Sequence, residues 1–293
     1  MENIIFRYRM LGVLTLFHPD VEQTLENIRL YAPLLDRLII WDNSPLESQD
    51  KTQLLPRLSN LNTDIVWVGD GENRCIAPAI NHAWQMAQQE GFDFILIMDQ
   101  DSRWTNFMEY RRLIEQHTGE GDQWVFTPYV EGCDQWTISS DIQFTELFIN
   151  SGTVIPTKLL TDIGGADEAF PLDALDHDMA FRIRQKGYQI ACLTTCRLVH
   201  SIGNPTKSEA LHLTAHNYPA MRIYSIARSH IINLRKHSHW LKRSDKWRIV
   251  REYVLLPLVR ILFLESGKWE RLKMLMKGIR DGLCYSLPKN HTT

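Results

Sequence analysis

Four short apolar runs within the first hundred or so residues, each ending in polar or acidic residues, restrict what this chain can fold into. They are MLGVLTLF (10–17), RLIIWDNSP (37–45), TDIVWVGDGEN (63–73) and FDFILIMDQDS (92–102). Between them VEQTLENIRLYAPLL (21–35) places apolar residues at helical spacing, and APAINHAWQMAQQE (77–90) combines strong helix formers with an apolar face and is closed by Gly91. Strands alternating with helices predict parallel βαβ units and an α/β fold. Their right-handed crossovers bring the strand carboxyl ends to one edge of the sheet, where ligands of open α/β folds bind. Asp42, Gly69-Asp70 and Asp99-x-Asp101 are then expected along a single crevice.

Composition is that of a globular protein: 293 residues, 44% hydrophobic and 23% charged. The net charge of −3 hides an asymmetry, because residues 1–221 carry 16 Lys and Arg against 30 Asp and Glu, whereas residues 222–293 carry 16 against 5. An acidic body with a basic tail and no binding motif argues against a nucleic-acid partner. Five widely spaced cysteines (Cys75, Cys133, Cys192, Cys196, Cys284) predict reduced thiols rather than a disulfide framework, and CLTTC (192–196) reads as strand rather than as a zinc cluster with His200. Arg7 and Arg9 interrupt the apolar start, so no secretory leader is read and a cytoplasmic location is expected.

An apolar strand ending in Asp-x-Asp calls for a cation. An EF-hand loop is excluded, since Arg103 and Trp104 stand where a calcium loop needs a ligand and a glycine. A haloacid-dehalogenase-type magnesium phosphatase remains an alternative, although three strands precede the motif and Arg103 replaces the expected Thr. A third reading is a nucleotide-sugar transferase, in which the two acids hold a divalent ion against the charge that develops on a departing nucleoside diphosphate. A sugar-nucleotide-binding protein without catalysis would keep Asp42 and Asp101 and tolerate loss of Asp176.

Several segments, in order, resemble glycosyltransferase family 2, the inverting GT-A type, and its bacterial rhamnosyltransferase-like branch. They are LTLFHPD (14–20), IIWDNSP (39–45), ENRCIAPAINHAW (72–84), FILIMDQDS (94–102), INSGTVIP (149–156), LDALDHDMAFRIRQKGY (172–188), LVHSIG (198–203), MRIYSIARSHI (221–231) and KGIRDGL (277–283). The resemblance implies a GT-A fold, Rossmann-like with a mixed, mostly parallel sheet flanked by helices. That domain would span residues 1–235, with a basic helical extension over 236–293.

The resemblance also implies roles for individual residues. Asp42 would face the donor's base, with the backbone of Leu16 and Phe17 as the other wall and His18 where the family often has Asn. Asn73, Arg74 and Asn81 belong to an element that approaches the donor, with Cys75 and Ala83 replacing two family glycines. Asp101 would be the main ligand of a Mn2+ or Mg2+ ion, Asp99 would touch the ribose or the metal shell, Gln100 would join the donor site, and His200 would complete the cation site. Gly152 would leave backbone room for the sugar, and Arg222 and Arg228 would lie near the diphosphate or the acceptor. Asp176, preceded by Leu175 where many members have Glu, would be the general base, and Asp173 an acceptor contact. Turn formation for Asp42, an exposed helix start for Arg74, loop support for Asn81, a plain turn for Gly152 and a helix-dipole role for Asp178 are the competing structural explanations.

The implied partners are a nucleoside-diphosphate sugar and a saccharide acceptor, lipid-linked in the branch, with a homo-oligomer left open. The segment WRIVREYVLLPLVRILFLESGKWERLKMLMKGIRDGL (247–283) is too interrupted to span a bilayer. Its apolar stretches edged by Lys, Arg and Trp suit either a peripheral helix on the inner face of a membrane or a subdomain packed on the core.

Overall fold

The computed structural model describes residues 6–119, 124–131, 140–200, 206–208, 213–215 and 217–287. The chain divides into two compact units: Met1–Pro171 with Met179–Ser201, and Leu172–Asp178 with Ile202–Thr293. The extension read at 236–293 falls inside the second unit, which also includes 202–235. Cys133 and the Ser-Ile-Gly of LVHSIG lie outside the described residues.

In the first unit the apolar runs become β1 (Met10–Leu16), β2 (Arg37–Asp42), β3 (Asp64–Val68) and β4 (Phe94–Asp99). They pair in parallel in the order β3-β2-β1-β4. The helices between them are α1 (Val21–Tyr31), α2 (Asp50–Leu58) and α3 (Ala77–Glu90). Asp20 caps α1 by accepting the Gln23 N–H, and Gly91 ends α3 in the left-handed conformation (φ 72°) that an L side chain disfavours. Leu16 pairs with Asp42 and Thr15 with Asp99, so the carboxyl ends of β1, β2 and β4 share one edge, as the sequence predicts.

The rest of the sheet has a different grammar. It adds β5 (Ser102–Trp104), α4 (Phe107–His117), β6 (Trp124–Glu131), β7 (Ile142–Thr145), β8 (Val154–Pro156) and α5 (Thr157–Ile163). After α6 (Leu175–Gln185), which begins in the second unit, comes β9 (Gln189–His200). β8 runs antiparallel to β4 and β6, while β6 and β9 are parallel. β5 and β7 lie antiparallel against β9. Leu14, Leu96, Met98, Phe126, Leu193 and Leu198 help join the two halves in one core.

The second unit contains a short antiparallel pair, β10 (Thr206–Ser208) and β11 (Leu213–Ala215), and α7 (Ala220–Lys236), α8 (Arg243–Val250), α9 (Leu256–Phe263) and α10 (Lys268–Cys284). A π-helical turn, Arg251–Leu255, joins α8 to α9. α10 lies close on α7 because Gly278 and Gly282 present no side chain there; a Cβ at 278 would stand 2.5 Å from the Tyr224 carbonyl oxygen. Among the described residues no helix is long and apolar enough to cross a membrane.

Candidate functional site

Asp99 closes β4, and the chain turns through Gln100 and Asp101 into β5, where Ser102 stands opposite His200 at the end of β9. This pairing delivers an imidazole to two carboxylates that are nearly a hundred residues away in sequence. Ligand atoms of Asp99, Asp101 and His200 lie within 4.8 Å of one another, and all three residues are half-buried. His200 Nδ1 is 3.3 Å from Asp101 Oδ1 and 2.8 Å from Ser102 Oγ. The hydrogen bond that the imidazole donates to Asp101 raises its pKa against the opposing effect of burial, with the Asp101 and Asp99 charges adding to it.

A layer of hydroxyls fixes this cluster from below. Ser151 Oγ donates to Ser102 Oγ at 2.7 Å and accepts the Asp99 N–H at 3.1 Å; both serines are fully buried. Carboxylate oxygens with one imidazole form a donor set suited to Mn2+ or Mg2+. The zinc alternative finds no support here: Cys192 and Cys196 are buried in β9, and burial pushes the Cys196 thiol up to about 11.

Along the same edge, Trp41, Asp42, Gly69, Asp70, Arg74 and Pro78 help line a cleft of about 740 Å³. Asp42 Oδ1 accepts the Ser44 N–H at 2.9 Å, forming the turn that competes with a binding role, while the side chain stays half-buried at the cleft. Gly69 is required beside it, since a Cβ there would stand 2.8 Å from the Asp42 carbonyl oxygen. The Leu16 side chain is fully buried, and its carbonyl accepts the Asn43 N–H at 2.9 Å. Phe17 is 46% exposed, and the Gln100 carboxamide holds its backbone from both sides (2.7 Å from N, 3.1 Å to O). Gln100 is thereby a brace for the wall rather than a side chain left open for the donor.

Asn73 accepts the Cys75 N–H at 3.0 Å in a tight turn, and Cys75 adopts φ 61°. The cysteine keeps the left-handed conformation for which the resembling family uses glycine. Arg74 is exposed and paired with Asp70 (2.6 Å) and Glu72 (3.0 Å), so reaching a phosphate requires exchanging these partners. Two expectations change. Asn81 bonds Ala166 N and O and Glu168 Oε1, at 2.8, 3.0 and 2.9 Å, and so anchors the loop after α5. Gly152 is buried with φ 80°, and a Cβ would strike Pro128 and Leu198 side chains at 2.7 and 2.9 Å; packing, not sugar room, demands the glycine.

In the second unit Asp176, half-buried in the first turn of α6, has Oδ1 accepting the His177 N–H at 2.8 Å. Asp178, two residues on, is fully buried between Lys236 Nζ (2.7 Å) and His237 Nε2 (2.8 Å). Its role is an internal ion pair rather than the dipole interaction expected of it. Asp173 pairs with Arg222 at 3.3 Å; burial raises its carboxyl pKa, and the Arg222 charge opposes that shift. Arg228 lies over the Tyr285 ring, with its guanidinium carbon 5.2 Å from the centroid, a packing contact between the middle of α7 and the residue that follows α10.

No protein-family model matches the chain. It is 24% identical over 235 residues to the dTDP-rhamnosyl transferase RfbF of Shigella flexneri, covering 73% of this chain and 76% of that protein. The mannosyltransferase PcManGT of Pyrobaculum calidifontis, solved with GDP-Man and Mn2+, superposes with a TM-score of 0.59 at 14% identity, over 97% of this chain and 77% of its own. Residues 1–349 of S. aureus TarS, solved with UDP-GlcNAc, give 0.56 at 14% identity, over 94% and 80%. The chain has the GT-A glycosyltransferase fold. The distant relative RfbF is likewise named as a glycosyltransferase.

Two residues of this GT-A site were missed in the sequence. Asn43, 3% exposed, accepts from Arg74 N (2.9 Å) and Trp41 Nε1 (3.2 Å) and donates to the Cys75 carbonyl (3.2 Å), joining the end of β2 to the 73–75 turn. Ser151 is the other. Asn43 adjoins the acid that drew attention, and an amide beside a strand end is a legible signal; a serine 52 residues from its partner Asp99 carries none.

Proposed function

We propose that the protein is an inverting, metal-dependent glycosyltransferase. It moves rhamnose from dTDP-rhamnose, or a hexose from a UDP-sugar, onto a saccharide acceptor in the assembly of a bacterial-type surface polysaccharide. The convergence of Asp99, Asp101 and His200 on one point carries this reading. These three residues would hold Mn2+ or Mg2+, and such an ion supplies charge stabilisation to a departing nucleoside diphosphate.

The chain's own groups account for the remaining work. Asp42 and the braced Phe17 backbone hold the pyrimidine in the cleft, and Arg74, released from Asp70 and Glu72, adds positive charge to the donor site. Asp176 takes the proton from the acceptor hydroxyl. That oxygen forms its bond to the anomeric carbon as the bond to the diphosphate breaks on the opposite face, so the configuration inverts. Arg222 supports the acceptor side through Asp173, and Arg228 supports α7.

Contact with the inner face of a membrane belongs to the same reading. Leu262, Phe263 and Trp269 are 43%, 68% and 85% exposed around the turn from α9 to α10, with Lys268 between them, and Trp247 on α8 is 60% exposed. Large apolar side chains beside lysine suit an anionic interface.

The test is calorimetric titration of dTDP, UDP and GDP with and without Mn2+, followed by transfer assays on Asp176→Asn. Metal-dependent binding of one pyrimidine diphosphate and loss of transfer in the variant are expected. Normal transfer by Asp176→Asn would remove the base assignment, and nucleotide binding without any transfer by the wild type would favour a silent binding protein.

A further inference from the structure

The second unit has a half-open cavity of about 340 Å³ between α7, the π-helical turn, α9 and α10, in the lower part of the range for small-ligand pockets, about 300–1,000 Å³. Each acid of its lining is engaged by an arginine: Asp173 by Arg222 at 3.3 Å, Glu252 by Arg251 at 2.7 Å and Glu265 by Arg271 at 2.6 Å. Among the described residues the lining therefore offers no cluster of free carboxylates to a metal ion, and Arg260 is its one remaining charge, which makes phosphate the competitor to test.

Three of the lining residues each carry a buried polar atom without a protein partner: Asp173 Oδ2, His230 Nδ1 and Arg260 Nε. The carboxylate oxygen accepts, the guanidinium N–H donates, and the ring nitrogen does one or the other according to its tautomer. Buried groups left in this state cost free energy that a ligand hydroxyl recovers, because each hydroxyl both donates and accepts. Burial holds His230 neutral by lowering its pKa well below the ordinary value, with the neighbouring His177 acting in the same direction. Much of the remaining wall is apolar or aromatic, including Ile226, Ile261 and Tyr253. Such a surface accepts the C–H face of a pyranose while the polar atoms take its hydroxyls.

We infer that this cavity binds a neutral saccharide and, on the function proposed above, holds a sugar of the acceptor. Asp173 and Arg260 are its principal hydroxyl contacts.

The experiment is saturation-transfer NMR on the full chain with methyl α-rhamnoside and methyl glucoside, and with inorganic phosphate as a competitor. Calorimetry of dTDP and UDP with Mn2+ is run on the same samples. The wild type is expected to bind a glycoside that phosphate does not displace. Arg260→Gln is expected to weaken it about tenfold, the loss of one hydrogen bond to a charged group, and Ile226→Trp to fill the cavity and abolish it. Nucleotide binding stays unchanged in both variants, and their urea midpoints report folding. Equal glycoside binding by all three proteins, displacement by phosphate, or no glycoside binding by the wild type would overturn the inference. Glycoside binding with no nucleotide binding would leave the cavity assignment standing and remove the transferase reading instead.

Discussion

The chain contains two Asp-x-Asp triplets in its chemically suggestive segments, and the structure treats them in opposite ways. Asp99-Gln100-Asp101 ends a strand, and there both acids stay half-exposed and meet His200 at the sheet edge. Asp176-His177-Asp178 opens a helix, where positions two apart point to roughly opposite sides. Asp176 stays half-buried, and Asp178 is sealed beneath Lys236 and His237. One spacing gathers two carboxylates at the turn that ends a strand, and on a helix divides a catalytic candidate from a structural ion pair. Backbone geometry, not composition, separates the two.

The contrast is most sharply tested at Asp101. Asp101→Asn removes charge from the cluster and is expected to lower metal-dependent transfer by on the order of 10²–10³-fold, corresponding to several kcal/mol of lost charge stabilisation. Unchanged melting of that variant would show that the cluster serves chemistry rather than folding. Asp178→Ala should show the converse, costing about 3–5 kcal/mol in a urea titration because Lys236 and His237 lose their buried partner. Little change in stability would mean that the second triplet is not structural.

Two smaller effects sharpen the comparison. Gly278→Ala on α10 would ordinarily gain about 1 kcal/mol of helix propensity. Here the Cβ meets the Tyr224 carbonyl oxygen at 2.5 Å, so a net loss of about 1–3 kcal/mol by chemical denaturation is expected. Ser151→Ala in the first unit should weaken Mn2+ affinity about tenfold by calorimetry while sparing the fold, as the loss of a supporting hydrogen bond to a metal ligand does.

The last test concerns pH. Burial is the largest influence lowering the pKa values of both His177 and His230. Above their ordinary value of 6.5 the unfolded histidines are neutral too, and nothing is lost. As pH falls below it the unfolded chain takes up protons that the native unit resists, so stability declines on acidification. Urea midpoints at pH 7.5 and pH 5.5 measure this, and His230→Gln should flatten the slope.

The parallel half of the sheet was readable because its signals are local. The apolar runs at 10–17, 37–45, 63–73 and 92–102 each contain a strand, and α3 spans Ala77–Glu90 as its composition and closing Gly91 indicate. The antiparallel half was not readable. β8 and β5 are three residues each, too short for a periodicity, and their partners are set by distant chain. Gly152 looked like an opening for substrate, because sequence does not show that Pro128 and Leu198 fill the space its side chain would take.

What the sequence alone determined is therefore the alternation of elements, the acids at the strand ends and the likeness to family 2 glycosyltransferases. All of these are written in neighbouring residues. The likeness anticipated His200 beside Asp101, but tertiary structure alone decided that the β5–β9 pairing delivers it and that Asp178 is enclosed while Asp176 is not. It likewise decided that Asp173, His230 and Arg260 share the wall of one cavity. Those outcomes depend on contacts between residues far apart along the chain, and no local pattern specifies which distant partner will arrive.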